Sequence, residues 1–305
     1  MIFFSLSGYI LSHIYYDNFR SPSMAFLRDY RDFLWKRIAR IYPLHVFLLI
    51  LMLVLFPRFS NVNSGLRQLF TNLTLTHGWT FDALSFVGAS WSISVEFFFY
   101  LLFPFMMLVG NRRRALIVFV LLGFLFVWVS IYAYQIPEEW RRYFTHRIFS
   151  YGAYFVFGVC VFFLAQYRVI RALLDNDFAF TALAALIIFI CGYAYTRSPK
   201  FSIFVMAFAI PPLVRSVHKS RIANYLLGGV VMVWLGDLSY SIYLSHLFIQ
   251  QLVHSISQGQ SRDPLYEWGS IYLLLIVWCL FCYHVIELPA RKKLRRVFNP
   301  NLSEC

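Results

Sequence analysis

The chain has 305 residues and is 60% hydrophobic and 20% aromatic, yet only 13% charged, with a net charge of +13. A soluble domain carries about 25% charged residues, and here the apolar residues run in long blocks, so an ordinary soluble fold is excluded and a multi-span membrane protein is indicated. On a soluble chain the positive balance would suggest nucleic acid; here basic residues collecting in cytoplasmic loops account for it, and no nucleic-acid partner is expected.

Nine spans are predicted, at 2–16, 42–57, 91–109, 115–134, 148–166, 178–195, 201–217, 238–255 and 268–287. The fold class is therefore all-α, a polytopic transmembrane helix bundle forming one domain over 1–305. The apolar block 225–236 is short and is expected to be re-entrant or buried rather than a tenth span. Placing loop 17–41 in the cytoplasm and alternating puts 19 of the 27 Lys and Arg residues on the inner side and eight outside. The positive-inside rule then sets the C-terminus in the cytoplasm.

The first block, "MIFFSLSGYILSHIYY", would run from outside to inside. Fifteen residues at ~1.5 Å each reach only ~22 Å, short of a ~30 Å hydrocarbon core. A basic n-region and a small-residue cleavage site, the marks of a signal peptide, are missing from it. A further span upstream is expected on both counts, which would make this chain N-terminally incomplete.

In "DFLWKRIARIYPLHVFLL" (32–49), Arg37 and Arg40 stand three apart and project together if the stretch is helical, with Pro43 in the first turn of the next span. Two guanidiniums there suit bidentate phosphate binding, or are ordinary positive-inside charge. In "WSISVEFFFYLLFP" (91–104), Ser92, Glu96 and Tyr100 share one helix face. A carboxylate at bilayer depth costs roughly 2.5–3.5 kcal/mol on insertion scales. The stripe should therefore face the bundle interior, where Glu96 would transfer protons, orient substrate or pair with an arginine.

In "WLGDLSYSIYLSHLFIQQ" (234–251), Ser239, Tyr243, His246 and Gln250 form a polar stripe. It offers either a proton shuttle or helix-to-helix hydrogen bonding. Glu287, in "YHVIELPARKKLRR" (283–296), is expected to pair with the basic tail, which suits anionic headgroups. Of the remaining histidines, His45 lies in a span without such a stripe, and His77 is placed in an outer loop. Cys279 and Cys282 form a CxxC inside an apolar block and are read as packing thiols. With no HxxxH, HExxH, GxSxG, P-loop or Rossmann pattern, no metal or nucleotide-cofactor site is expected.

"FFSLSGYIL" (3–11), "KRIARIYPLH" (36–45), "GASWSISVEFFFYLLFP" (88–104), "FGVCVFFL" (157–164), "LSYSIYLSHLFI" (238–249) and "IELPARK" (286–292) together resemble the acyltransferase-3 family. These are integral-membrane enzymes, many of which O-acetylate lipopolysaccharide, peptidoglycan or exopolysaccharide. The resemblance implies acetyl-CoA or another acyl-CoA as co-substrate from the cytoplasm, no permanently bound cofactor, and a cell-envelope glycan acceptor. It also implies a bacterial inner (plasma) membrane. It assigns Arg37 and Arg40 to the donor, Glu96 to the WSxSVE position and His246 to the SYSxYLxH position. Acyl transfer then needs a base, which Glu96 would assist, and donors to the developing oxyanion, for which Ser92, Tyr243 and His246 are the candidates. The family usually has ten spans and a first-span histidine assigned as base; this chain begins at what resembles the second span. A transporter or exporter and a non-catalytic membrane subunit remain open alternatives, which binding of labelled acetyl-CoA would separate from an enzyme.

Overall fold

A computed structural model describes residues 1–21, 24–56, 62–79, 85–109, 112–133, 135, 147–194, 199–256 and 264–298. His146, Cys305 and the end of the basic tail lie outside the described residues. All regular structure among the described residues is helical. The helices are α1 (Ile2–Phe19), α2 (Phe26–Leu55), α3 (Val62–Leu73), α4 (Trp91–Met107), α5 (Arg112–Ala133), α6 (Arg147–Leu164), α7 (Arg168–Leu174), α8 (Asp177–Phe189), α9 (Pro199–Val217), α10 (Arg221–Leu227), α11 (Val230–Ile256), α12 (Pro264–Phe281) and α13 (Leu288–Phe298). Two π-helical turns, Ile190–Ala194 and Cys282–Glu287, extend α8 and α12.

Each of the nine expected spans falls on a described helix. Phe26–Leu55, Arg112–Tyr132 and Glu267–Lys293 are long and apolar enough to cross a membrane. The count reaches five if two bent pairs, Ile148–Leu164 with Arg168–Leu174 (117°) and Arg221–Leu227 with Val230–Ile256 (73°), are one span each. Trp91–Met107, Asp177–Gly192 and Val205–Val217 are shorter apolar helices. Rows of large apolar side chains point outward, among them Leu121, Leu125 and Trp128 on α5 and Leu273, Ile276 and Val277 on α12. A soluble monomer rarely exposes such continuous apolar faces, whereas an integral membrane protein presents them to lipid.

Three expectations change. Pro43 lies inside the 30-residue α2 rather than in the first turn of a new helix. Such prolines are tolerated in membrane helices because neighbours re-satisfy the backbone, and here the Tyr240 hydroxyl donates to the Ile41 carbonyl at 2.5 Å. Block 225–236, expected as re-entrant or buried, is exposed at Val230, Val231 and Val233; its second half opens α11, bent 73° against α10 as in a broken span or a re-entrant loop. The segment expected as a plain loop between α2 and α4 contains α3.

The chain divides into two compact units, Met1–Phe26 with Phe98–Met232, and Leu27–Phe97 with Val233–Cys305. In the first, α1 crosses α6 at backbone contact. A Cβ on Gly8 would stand 2.1 Å from the Phe155 carbonyl oxygen, and one on Gly158 2.3 Å from that of Ser5. The Ser5 hydroxyl donates to the Tyr154 carbonyl at 3.1 Å. This is the small-residue crossing by which membrane helices associate without a hydrophobic drive. Around it Phe99 stacks on Phe155, with centroids 4.7 Å apart. At one end, Arg215 holds Asp175 through two guanidinium nitrogens, 2.8 and 2.5 Å from the carboxylate oxygens, and donates to the Tyr9 hydroxyl at 2.7 Å.

In the second unit α2 packs on α11 and α12. Phe47 stacks with Trp278 at 6.0 Å, Trp278 meets Phe248 at 5.4 Å, and the Trp278 indole donates to the Ser245 hydroxyl at 3.1 Å. The inner face of α11 carries Leu238, Tyr240, Ser241, Leu244, Ser245 and Phe248.

Candidate functional site

The second unit gathers most of the buried polar chemistry along α2. Arg37, Ile41 and His45 follow at i, i+4 and i+8 and so share one face. Ile41 is 2% exposed and His45 is fully buried. Arg37 is half-buried, its guanidinium 5.6 Å from the centroid of the buried Phe33 ring, within cation–π range. Arg40 stands on the exposed side of the same turn. Arg40 and His45 are five residues apart, about 7.5 Å along the axis.

What meets His45 comes from α3. After α2 ends at Leu55, the twelve residues of α3 span about 18 Å, enough to bring the chain back beside His45, about 15 Å from that end. The next few residues then fold on themselves. The Thr71 carbonyl accepts from the backbone N–H groups of Thr76 (2.9 Å) and His77 (3.2 Å), and Leu75 takes a left-handed φ of 56°. The start of α4 clamps this turn. The Ser94 hydroxyl accepts from the Gly78 N–H at 2.8 Å and donates to the Leu75 carbonyl at 2.6 Å, while the Trp79 indole donates to the Ser94 carbonyl at 2.7 Å.

The result is a buried histidine pair. The rings of His45 and His77 are 6.0 Å apart and within 5° of parallel. His77 stands in the turn after α3 yet is only 1% exposed, and its Nε2 lies 3.0 Å from the hydroxyl of the fully buried Ser90. His45 Nε2 lies 2.9 Å from the Asn72 carbonyl oxygen. A carbonyl only accepts, so Nε2 carries the proton and Nδ1 of the neutral ring carries a lone pair. That Nδ1 is buried and has no hydrogen-bond partner. A buried acceptor left so costs roughly 1–3 kcal/mol.

The structure buries the Glu96 stripe as its spacing requires, with Ser92 and Glu96 each 2% exposed and Tyr100 4%. The Ser92 hydroxyl donates to the Ala89 carbonyl at 3.1 Å, so its hydrogen points back into its own helix start. On α11, Tyr243 is 40% exposed, and Ser239 and Gln250 are exposed as well. His246 Nδ1 lies 2.6 Å from the Tyr243 carbonyl, one turn back. With Nδ1 directed at that carbonyl, Nε2 is the ring nitrogen that faces away from the helix backbone. The inward polar residues of α11 are instead Tyr240, Ser241 and Ser245.

A second buried group closes one end of the unit. The π-helical turn after α12 carries Glu287 to 1% exposure, where Ser241 donates to one carboxylate oxygen and Arg291 to the other at 2.6 Å. The expected pairing with the basic tail is thus present, through Arg291, and the charge of Arg40 also reaches the carboxylate. Cys279 and Cys282 are fully buried free thiols, and among the described residues no group of three His, Cys, Asp or Glu could hold a metal.

The spacings in the sequence marked Glu96, Arg37 and Arg40 but not His45, His77, Ser90 or Asn72. Their one local signal was the run of serines at 90, 92 and 94 before a membrane helix.

Comparison with known proteins gives a family model, described as an acyltransferase domain, over residues 1–284. The "Putative peptidoglycan O-acetyltransferase YrhL" of Bacillus subtilis (strain 168) is 26% identical over 340 residues, covering 99% of this chain and 52% of the relative. The "Putative O-acetyltransferase SACOL0978" of Staphylococcus aureus (strain COL) is 21% identical over 326 residues, with 95% and 52% covered. The chain spans about half the length of the curated relatives it matches. No solved structure matches.

Proposed function

The chain belongs to the acyltransferase-3 family, and from that premise we propose that it moves an acyl group, acetyl in the first instance, from a cytoplasmic acyl-CoA to a hydroxyl of a cell-envelope carbohydrate. One observation supports this most: α2 carries two arginines suited to a phosphate-bearing donor and, about two turns on from Arg37, a fully buried histidine with an open lone pair.

In this scheme Arg37 and Arg40 hold the donor's anionic part, where the planar guanidinium fork fits phosphate oxygens. Glu96, buried in a helix that otherwise reads as membrane, faces the reaction cavity and assists proton removal. The basic Nε2 of His246 and the neighbouring Tyr243 suit hydrogen bonding to an acceptor hydroxyl. The protein sits in a bacterial inner membrane with its C-terminus in the cytoplasm. The name of the Bacillus relative makes peptidoglycan the first acceptor to try.

The test is transfer of labelled acetyl from acetyl-CoA to envelope glycan by membranes containing the protein. Glu96→Gln, nearly isosteric, should keep expression and donor binding and lose roughly 10²-fold or more in transfer. Unchanged transfer by a fully inserted Glu96→Gln protein would remove Glu96 from the mechanism. A wild-type protein that neither binds acetyl-CoA nor transfers label would remove the enzyme reading itself.

A further inference from the structure

We propose that Arg291 is a third donor-holding guanidinium, which joins Arg40 in gripping a phosphate of the acyl-CoA, and that Glu287 is the positioning residue that aims it; this rests on the O-acyltransferase reading above. Arg37 and Arg40 stand on α2, whereas Arg291 stands on α13, near the other end of the sequence. Three hydrogen bonds connect the two places. Tyr240 of α11 donates to the carbonyl of Ile41, the residue after Arg40, at 2.5 Å. Its neighbour Ser241 donates to one oxygen of Glu287. The other oxygen accepts from Arg291 Nη2 at 2.6 Å. The charge of Arg40 acts on the same carboxylate. Two cations from separate helices thus answer to one buried anion.

The molecule also contains a closed ion pair, which shows what Arg291 lacks. Arg215 gives two nitrogens to the two oxygens of Asp175 and the third to the Tyr9 hydroxyl, and the paired side chains are only 11% and 15% exposed. That fork is saturated. Arg291 gives one nitrogen to Glu287, and its side chain stays 25% exposed while the carboxylate is 1% exposed. A guanidinium has five N–H donors in a plane, so Arg291 can hold Glu287 and still meet a phosphate oxygen. Arg40 is exposed as well, so both cations are open to a ligand.

Charge selects that ligand. One carboxylate cannot balance Arg40 and Arg291 together, and the surplus positive charge at the end of an apolar span calls for an anion. Phosphate oxygens, which only accept, suit the two forks; a sugar hydroxyl brings no charge. A donor without the nucleotide end, such as acetyl-pantetheine, would gain nothing from this site.

The test uses the full chain in phosphatidylcholine nanodiscs and reads equilibrium binding of labelled coenzyme A together with KM and kcat for acetyl-CoA. Arg291→Gln should raise the Kd and KM roughly 10–100-fold and leave kcat nearly unchanged, as loss of binding shared by ground and transition states requires. Transfer from acetyl-pantetheine should not respond to Arg291→Gln. Lys293→Gln removes the same charge from an exposed position two residues on and should act far more weakly. Arg291→Lys keeps the charge and the pair with Glu287 but loses the fork; it should raise the Kd about 3–10-fold and carries the test if Arg291→Gln does not insert. Glu287→Gln makes the site more positive. It would tighten coenzyme A if the carboxylate only balanced charge, and should weaken it if Glu287 aims Arg291.

Wild-type affinity in Arg291→Gln or Arg291→Lys would overturn the proposal. So would equal losses in Arg291→Gln and Lys293→Gln, which would mean diffuse attraction, or tighter binding by Glu287→Gln, which would end the positioning role. Repeating the series in discs containing phosphatidylglycerol tests the other source of phosphate: a defect confined to those discs would assign Arg291 to a lipid headgroup and overturn the donor site. A wild-type protein that neither binds coenzyme A nor transfers label is a different result, which refutes the acyltransferase reading itself.

Discussion

The two units solve the same problem, a stable interior in an apolar solvent, in opposite ways. The first closes by shape: Gly8 and Gly158 let two backbones touch, and stacked phenylalanines fill the space around them. The second closes by direction. Ser94, Asn72, Ser241 and Tyr240 each place a hydrogen on a particular oxygen. Shape is satisfied everywhere or not at all. A directional network can leave a particular atom open, and the Nδ1 of His45 is such an atom. The difference teaches where to look for chemistry: in the unit whose interior is specified bond by bond.

This contrast can be broken at its strongest point first. Gly158→Ala adds only a methyl group, but it meets backbone that cannot rotate aside. We expect it to destabilise the first unit by about 3 kcal/mol or more, at the upper end for overpacking. Thermal unfolding in detergent would read this, with Gly236→Ala as the control. Nothing lies within 4 Å of a Cβ at Gly236, and a helix interior gains up to about 1 kcal/mol from that exchange. Equal behaviour of the two variants would refute closure by shape.

The directional unit is tested more gently by Glu287→Gln, which keeps an acceptor for Ser241 but withdraws the charge from Arg291. Arg291 is 25% exposed and can recover water, so the expected loss is about 1–3 kcal/mol. A double-mutant cycle with Arg291→Lys should show coupling of at least about 0.5 kcal/mol; simple additivity would mean that the pair contributes no direction.

The smallest effect belongs to a polar turn of the first unit. Asp177 is held below the usual carboxylate range by the Ser220 hydroxyl first and then by the Ile222 N–H. A carboxylate with a lowered folded-state pKa stabilises above its unfolded value and loses that contribution as pH falls through the folded value. The midpoint of unfolding should therefore slip slightly below about pH 4 in the wild type and less in Asp177→Asn. An equal slip in both would assign it elsewhere.

The helices were legible because long apolar blocks in a chain so poor in charge have few other fates. The burial of Ser92, Glu96 and Tyr100 was legible for a related reason: four-residue spacing puts them on one face, and lipid rejects a carboxylate. The inner face of α11 was not. Core and lipid are both apolar, so hydropathy cannot rank Ser241 and Ser245 above Ser239, Tyr243 and Gln250, and the stripe with more polar residues proved to be the exposed one. The histidine pair was hidden for another reason. His45 finds Asn72 across 27 residues, and that meeting depends on the length of α3, in a segment whose mixed composition reads as loop.

The π-helical turn at Cys282–Glu287 has a consequence for how this region tolerates length changes. A π turn takes roughly one residue more than an α turn, and each residue rotates an α-helix by about 100°. The turn thus works as a phase shifter. Deleting one residue within it would restore an unbroken helix and swing Arg291 and everything after it around the axis, away from the Glu287 carboxylate it now holds. A substitution in this stretch changes one side chain, but a single-codon deletion re-aims the whole C-terminal helix.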